Sequence, residues 1–357
     1  MGNRLRCESR RFFRDFLIFS FFFLQVIPVS AFEKEVLFQE NSIIPLMEKW
    51  ENIENLCRFK YSEDQYQEIK ETLSKKHELL RVASFNILFN RYDRQLQKEH
   101  RWPMRRPRVL SALQGLNADI LALQEMDPGQ AKDLLPSLLS EYGFFVKDNK
   151  DGELNGVLYK KDRFELIEGR IWYMTSTPEL VSRETLTLAH LKDRYTGKEL
   201  AVFNAHLAFG NIEKRHFQAK YVAAVIKPYA KKMATLFMGD LNTFPHRLDL
   251  EKLPFYDGDY LQKLLSRQTL LKEARDEAIL GHIGPLSTYS NEDEESIPFK
   301  GTGTPGVFLD HIFVSRHVKV ILHAVEPVTI GGHFPSDHMP VVADFLIEDP
   351  KIESKVP

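Results

Sequence analysis

Ala234-Thr235-Leu236-Phe237-Met238-Gly239-Asp240-Leu241-Asn242 is the stretch on which the fold turns. A short, mostly apolar run of this kind reads as a buried strand. It ends in a glycine, an acid and an amide. Asp240 and Asn242 are two apart, so both side chains point the same way for as long as the strand lasts. Gly239 allows close approach of backbone or ligand. Elsewhere, too, an apolar run ends in functional groups. Ile120-Leu121-Ala122-Leu123 leads to Gln124-Glu125, Val202-Phe203-Asn204-Ala205 to His206, and Val307-Phe308-Leu309 to Asp310. Ser336-Asp337-His338 stands just ahead of the run at 341–346.

Working outward, strand and helix signals alternate from Arg81 onward. Strands are expected over 81–89, 120–124, 155–159, 164–173, 185–191, 200–206, 234–238, 311–314, 318–325 and 341–346. Helices are expected over 107–116, 130–142, 212–229 and 260–278, the second of them stopped by Gly143. Tyr195-Thr196-Gly197-Lys198 marks a hairpin turn. Many strands interleaved with helices imply two sheets packed face to face with helices outside. Residues 81–348 are then one domain. Residues 32–80 carry Ile44, Met47, Ile53, Leu56, Tyr66, Ile69 and Leu73 at roughly helical spacing and read as a helical extension. Asn291 to Glu295 reads as an exposed acidic loop, and residues 349–357 as a mobile tail.

Residues 1–31 have the pattern of a secretory signal. Arg4, Arg6, Arg10, Arg11 and Arg14 form a basic head, residues 16–27 an apolar run, and Val29-Ser30-Ala31 a small-residue cleavage site. The run is short for a bilayer, which takes about 20 residues. Export, periplasmic or secreted, is the expectation, with a retained N-terminal membrane anchor as the alternative. Removing that segment's five Arg, Glu8 and Asp15 from 48 basic and 50 acidic residues leaves the remainder at −5. That balance argues against a protein that coats nucleic acid, though not against a locally basic cleft. Of two cysteines, Cys7 and Cys57, only Cys57 survives cleavage, so no internal disulfide forms. The core alone must hold the fold.

The residue types at the strand ends are hard donors: carboxylates, amides and imidazoles. No C-x-x-C, H-E-x-x-H, G-x-S-x-G or Walker lysine loop is present, which removes soft-metal sites, metalloproteases, serine hydrolases and P-loop enzymes. Glu125 either caps a turn or binds a ligand. Paired with Asn86 on another strand, it suits Mg²⁺ or Mn²⁺, which take oxygen donors. Asp240 can orient or deprotonate a water, and Asn242 can hold a phosphate oxygen. An Asx-turn explains either of them singly. His338 suits a developing oxyanion, with Asp310 as the partner on its other ring nitrogen. Satisfaction by a backbone carbonyl is the plain alternative. His100, His216, His246, His282, His323 and His333 show no partner pattern and read as surface or core residues.

In their order along the chain, Asn86, Gln124-Glu125, His206, Gly239-Asp240-Leu241-Asn242, Asp310 and Ser336-Asp337-His338 resemble the endonuclease/exonuclease/phosphatase superfamily, also called DNase I-like. The match spans about residues 81–346. The resemblance implies a four-layer α/β/β/α sandwich with its site at one edge between the sheets. It also implies Mg²⁺-dependent hydrolysis of a phosphate ester by an activated water. On that basis Glu125 is the main metal ligand with Asn86 beside it, and Asp337 supports the metal region. Asp240 handles the attacking water, Asn242 positions the phosphate and His206 donates to a phosphate oxygen. His338, its ring held by Asp310, stabilises developing charge. Arg183 and Arg215 resemble arginines that approach the phosphate in some members. Trp102 with Arg105 resembles a pattern in some exported hydrolases and deadenylase-like members. His311 stands where many relatives carry an aromatic.

The substrate stays open between a nucleic acid or other phosphodiester, a lipid and a small phosphoester. Arg101, Trp102, Arg105, Arg106 and Arg108 offer the basic and aromatic cluster of a nuclease. Ile171-Trp172-Tyr173-Met174 offers the apolar hairpin of a sphingomyelinase-like enzyme working at a membrane surface, and reads equally well as a core strand. A phosphoinositide phosphatase-like enzyme and a non-catalytic binding module on the same fold complete the alternatives. No obligate protein partner is evident.

Overall fold

The computed structural model describes residues 78–146, 152–174, 184–243, 245, 256–289 and 307–348. The signal-like segment, nearly all of the 32–80 extension, Arg183, His246, the 291–295 loop and the 349–357 tail lie outside them. In chain order the strands are β1 (Leu80–Asn86), β2 (Ile120–Met126), β3 (Tyr142–Phe145), β4 (Leu154–Lys160), β5 (Phe164–Tyr173), β6 (Thr185–Asp193) and β7 (Glu199–His206). They continue with β8 (Ala234–Asp240), β9 (Lys272–Glu273), β10 (His282–Ile283), β11 (Asp310–Val314), β12 (Val318–Val325) and β13 (Val341–Ile347). The helices are α1 (Trp102–Gly115), α2 (Pro128–Leu138), α3 (Ile212–Lys232), α4 (Tyr260–Thr269) and α5 (Ala274–Glu277).

One sheet runs β10-β12-β13-β1-β2-β4-β3, the other β5-β6-β7-β8-β11-β9. Strand parity explains why the central strands look apolar throughout. In β1, Leu80 and Val82 face the second sheet, where they meet Val202 and Leu236 in the inter-sheet core. Their neighbours Ala83 and Phe85 face outward onto Val109, Ala112 and Leu113 of α1. On the other sheet Phe203 and Phe237 pack against Val222 and Ile226 of α3. Strands covered on both faces have no reason to alternate. The four-layer α/β/β/α sandwich follows from three such apolar clusters.

Several boundaries differ from expectation. Helix α1 begins a turn early, at Trp102, because Pro103 fits the first turn as well as Pro107 does. Helix α2 starts from a capping box in which Asp127 and Gln130 satisfy each other's backbone, and it ends at Leu138. Tyr142, expected to end that helix, instead opens the strand 142–145 that pairs with β4. The helix expected over 260–278 stops at Thr269. Leu270 turns left-handed at φ 63°, and the Thr269 hydroxyl donates to the Leu265 carbonyl and accepts from the Leu271 N–H.

Two parallel pairs aim the functional strand ends at one edge. β1 and β2 run together with Asn86 beside Gln124, and β7 and β8 run together with His206 beside Asp240. Antiparallel β11 places Asp310 opposite Asp240. Behind this edge Gln124 donates to the Asn204 side-chain oxygen at 2.8 Å, and Asn204 donates to the Leu123 and Gly156 carbonyls, which ties the two sheets together. Gly239 sits at φ 147°, and a Cβ there would lie 1.8 Å from the Ala205 carbonyl oxygen. Only glycine lets β7 and β8 approach this closely.

Candidate active site

Glu125 and Asn242 leave their strands in the left-handed region, at φ 54° and 50°. Such conformations cost non-glycine residues of order 1–3 kcal/mol each and persist only where the surroundings enforce them. Here they turn side chains from strand ends into a shared cavity. Glu125, Glu153, His206, Asp240, Asp337 and His338 all line it.

A ladder of alternating acids and imidazoles forms the floor. The His206 Nδ1 lies 2.7 Å from Glu153 Oε1 and its Nε2 3.4 Å from Asp240 Oδ2. On the other side of Asp240, His338 Nε2 lies 3.7 Å from the same oxygen, and its Nδ1 lies 2.7 Å from Asp310 Oδ2. Asp240 accepts from the Asn242 backbone N–H, and the Asn242 amide donates to the Leu207 carbonyl at 3.0 Å beside His206 Nε2.

Burial and charge compete at His206, Asp240 and His338. Burial works against the charged form of His338, but Asp310, Asp240 and Asp337 outweigh it and raise the imidazole to about 10. Burial opposes charge on His206 too, and Glu153, Asp240 and Glu125 hold it well above the usual imidazole range. Asp240 is raised to about 6 by burial, with the two imidazoles pulling it partly back. The result is a carboxylate poised near neutrality between two cations, the arrangement that acid–base chemistry requires.

Asn86 lies beside Glu125, as expected. Its side-chain oxygen accepts from the Leu88 N–H at 3.0 Å, while its NH₂ donates to Glu125 Oε1 and to Asp240 Oδ2. The amide therefore aligns two carboxylates. Arg215 is a correction. It is buried on α3, with Nε on Asp257 at 2.7 Å and a further nitrogen on the Ala208 carbonyl, so it does not line the cavity.

The basic cluster expected of a nuclease turns largely inward. Arg105 is fully buried and donates to the carbonyls of His100, Ile87, Leu88 and Pro335. It thereby pins the turn after β1 to the segment that carries Asp337 and His338. Trp102 is buried and donates to Asp133, and Arg108 to the Glu99 carbonyl. Arg101 and Arg106 remain exposed. Trp172 stacks on Phe203 at 6.2 Å, which makes the Ile171–Met174 stretch part of the packed sheet. His282 and His323 face each other at 2.8 Å in the interior, and His311 pairs with buried Glu273 at 2.8 Å. Glu153 escaped sequence reading because it follows Lys150-Asp151-Gly152 and looks like part of a charged turn.

The donors fit a divalent cation. Glu125, His206 and Asp240 offer ligand atoms within 4.8 Å of one another, as do Asp240, Asp310 and His338. Two acids aligned by one amide, with Asp337 on the same cavity and no thiolate among the described lining residues, suit a hard ion.

The endonuclease/exonuclease/phosphatase family model matches residues 83–338. The chain belongs to that family, whose members are divalent-metal-dependent phosphoric ester hydrolases, and it is such an enzyme. Among solved structures, an endonuclease/exonuclease/phosphatase from Bacteroides vulgatus is 24% identical with a TM-score of 0.63 over 76% of this chain and 99% of its own. A mannosyl-6-phosphatase from Bacteroides thetaiotaomicron is 23% identical with a TM-score of 0.61 over 75% and 100%. D. rerio TDP2, solved with a single-strand DNA product, is 19% identical with a TM-score of 0.57 over 75% and 98%. These likenesses carry the fold. No curated protein matches the sequence.

Proposed function

We propose that this protein is an exported, Mg²⁺-dependent phosphoesterase that hydrolyses a phosphodiester by attack of water, on a nucleic acid or a smaller diester. The reading rests on the ladder Glu153–His206–Asp240–His338–Asp310, bordered by Glu125, around one cavity. Glu125 would hold the metal, with Asp337 in support. A bound divalent cation supplies charge neutralisation at the phosphoryl oxygens and lowers the pKa of water. Asp240, raised toward neutrality, takes the proton from the attacking water. Asn242, fixed by the Leu207 carbonyl, steadies a phosphoryl oxygen. His206 and His338, both kept cationic, meet the charge that builds on the phosphoryl group. Their carboxylate partners fix each ring by its other nitrogen.

The diester reading is supported by the DNA product held by the structurally similar TDP2. Export is supported by the arginine-rich head and apolar run of residues 1–31. The test is hydrolysis of DNA, RNA, phosphosugars, sphingomyelin and phosphoinositides, with EDTA and with Mg²⁺ or Mn²⁺ restored. Diester turnover that EDTA stops and Mg²⁺ returns is expected. Turnover indifferent to EDTA removes the metal role, and release of phosphate from monoesters alone removes the diester assignment. Export is checked by fractionating cells that express the full chain.

A further inference from the structure

Arg91 is the only lysine or arginine among the described residues that line the cavity. It lies in the 3₁₀ turn Asn90–Gln95 that follows β1, and it is exposed, whereas His338 and Asp240 are buried at the floor and His206 is half-buried beside them. Its guanidinium sits 3.7 Å from the centroid of the Phe89 ring and 5.6 Å from that of Tyr92. Among the described residues it has no hydrogen-bond or ion-pair partner. The cavity nevertheless carries five carboxylates, those of Glu125, Glu153, Glu184, Asp240 and Asp337.

A free arginine in so acidic a cleft is drawn toward the acids. Here cation–π stacking on Phe89 holds it elsewhere. A stacked guanidinium has one face covered and keeps its in-plane N–H fork for a planar or tetrahedral anion. The reacting phosphoryl group is already served at the floor by His206, His338 and Asn242. What Arg91 meets is the part of the substrate that emerges from the floor toward solvent.

We infer that Arg91 is a specificity-determining residue that binds a second phosphate on the substrate, and so selects phosphoesters that carry one. The inference rests on the phosphoesterase reading above and names the substrate feature that the site prefers. The second phosphate has two sources, the next linkage of a polynucleotide or the other phosphate of a small bisphosphate. A cationic head group such as choline is disfavoured at the same place.

The experiment compares matched substrates on wild type, Arg91→Ala and Arg91→Lys, each with Mg²⁺ and with EDTA. One pair is the p-nitrophenyl ester of thymidine 5′-phosphate with and without a 3′-phosphate. The other is a hexose bisphosphate and the corresponding monophosphate. A charge-assisted bidentate contact implies a wild-type preference of about tenfold to a hundredfold in kcat/KM for the doubly phosphorylated member. The pair in which it appears identifies the source. Arg91→Ala should collapse that ratio toward one, and Arg91→Lys should keep part of it. Equal kcat/KM for both members of both pairs in wild type overturns the inference, as does a ratio that survives in Arg91→Ala. Metal-dependent hydrolysis with no preference leaves the phosphoesterase reading standing. Absence of any metal-dependent hydrolysis sinks that reading and this inference with it.

Discussion

Glu125 and Asp240 share one amide donor, and Glu125 also accepts from the Phe89 N–H while Asp240 lies between two imidazoles. Glu125→Gln removes one of the two carboxylates and with it the main hold on the metal. The expected result is a loss of about three orders of magnitude in kcat, a few kcal/mol of transition-state stabilisation. The metal-free thermal midpoint should change little, because a glutamine oxygen still accepts from Asn86 or the Phe89 N–H. Full activity at saturating Mg²⁺ would refute the assignment. The pH profile tests the ladder. Asp240 must be ionised to accept a proton, so kcat/KM should fall as pH drops through about 6. His338 must stay charged, which it does up to about 10 with Asp310 as its first opposing charge. Asp310→Asn should therefore bring the alkaline limb down in pH, and a limb that does not move would detach His338 from the chemistry. Asp240, His206, Asp310 and His338 were legible because each stands at the end of an apolar run or beside one. Glu153 was not, since nothing local separates it from a turn acid. Arg105 was read into a basic cluster flanking the cleft, although Trp102, Arg105, Val109 and Ala112 follow helical spacing and mark a buried face.

At the scale of elements, the contact between β7 and β8 is the sensitive joint. Gly239→Ala drives a methyl group into the Ala205 carbonyl, and the strands carrying His206 and Asp240 must part. A cost of about 2–4 kcal/mol is expected in urea unfolding, with turnover lost even where the protein still folds. Unchanged stability would show that the backbone there relaxes freely. Central strands were readable because burial on both faces leaves an unbroken apolar run. Edge pieces such as β9 and β10, two residues each, carry no periodicity at all and depend on the partners they add to. The helix expected over 260–278 failed for a related reason. Its apolar spacing continues past Thr269, but a left-handed Leu270 redirects the chain into β9 before α5 resumes a helical turn.

At the scale of the molecule, the described residues of 78–348 hold three apolar clusters and every residue of the ladder. A chain limited to those residues is expected to unfold cooperatively and to retain metal-dependent turnover. Loss of both would mean that the preceding residues complete the core. The four-layer plan was legible because the order of strands and helices admits few arrangements. The depth of the cleft was not, because it depends on Arg105 and on the left-handed turns at Glu125 and Asn242, which no pattern of hydrophobicity encodes. One pairing has a geometric corollary. Leu80 opens β1 directly beside Phe345 near the end of β13, about 20 Å of strand away from Asn86. A fusion partner, tether or immobilising support joined at Leu80 or Ile347 is thus carried at the end of the sandwich opposite Asn86 and the ladder.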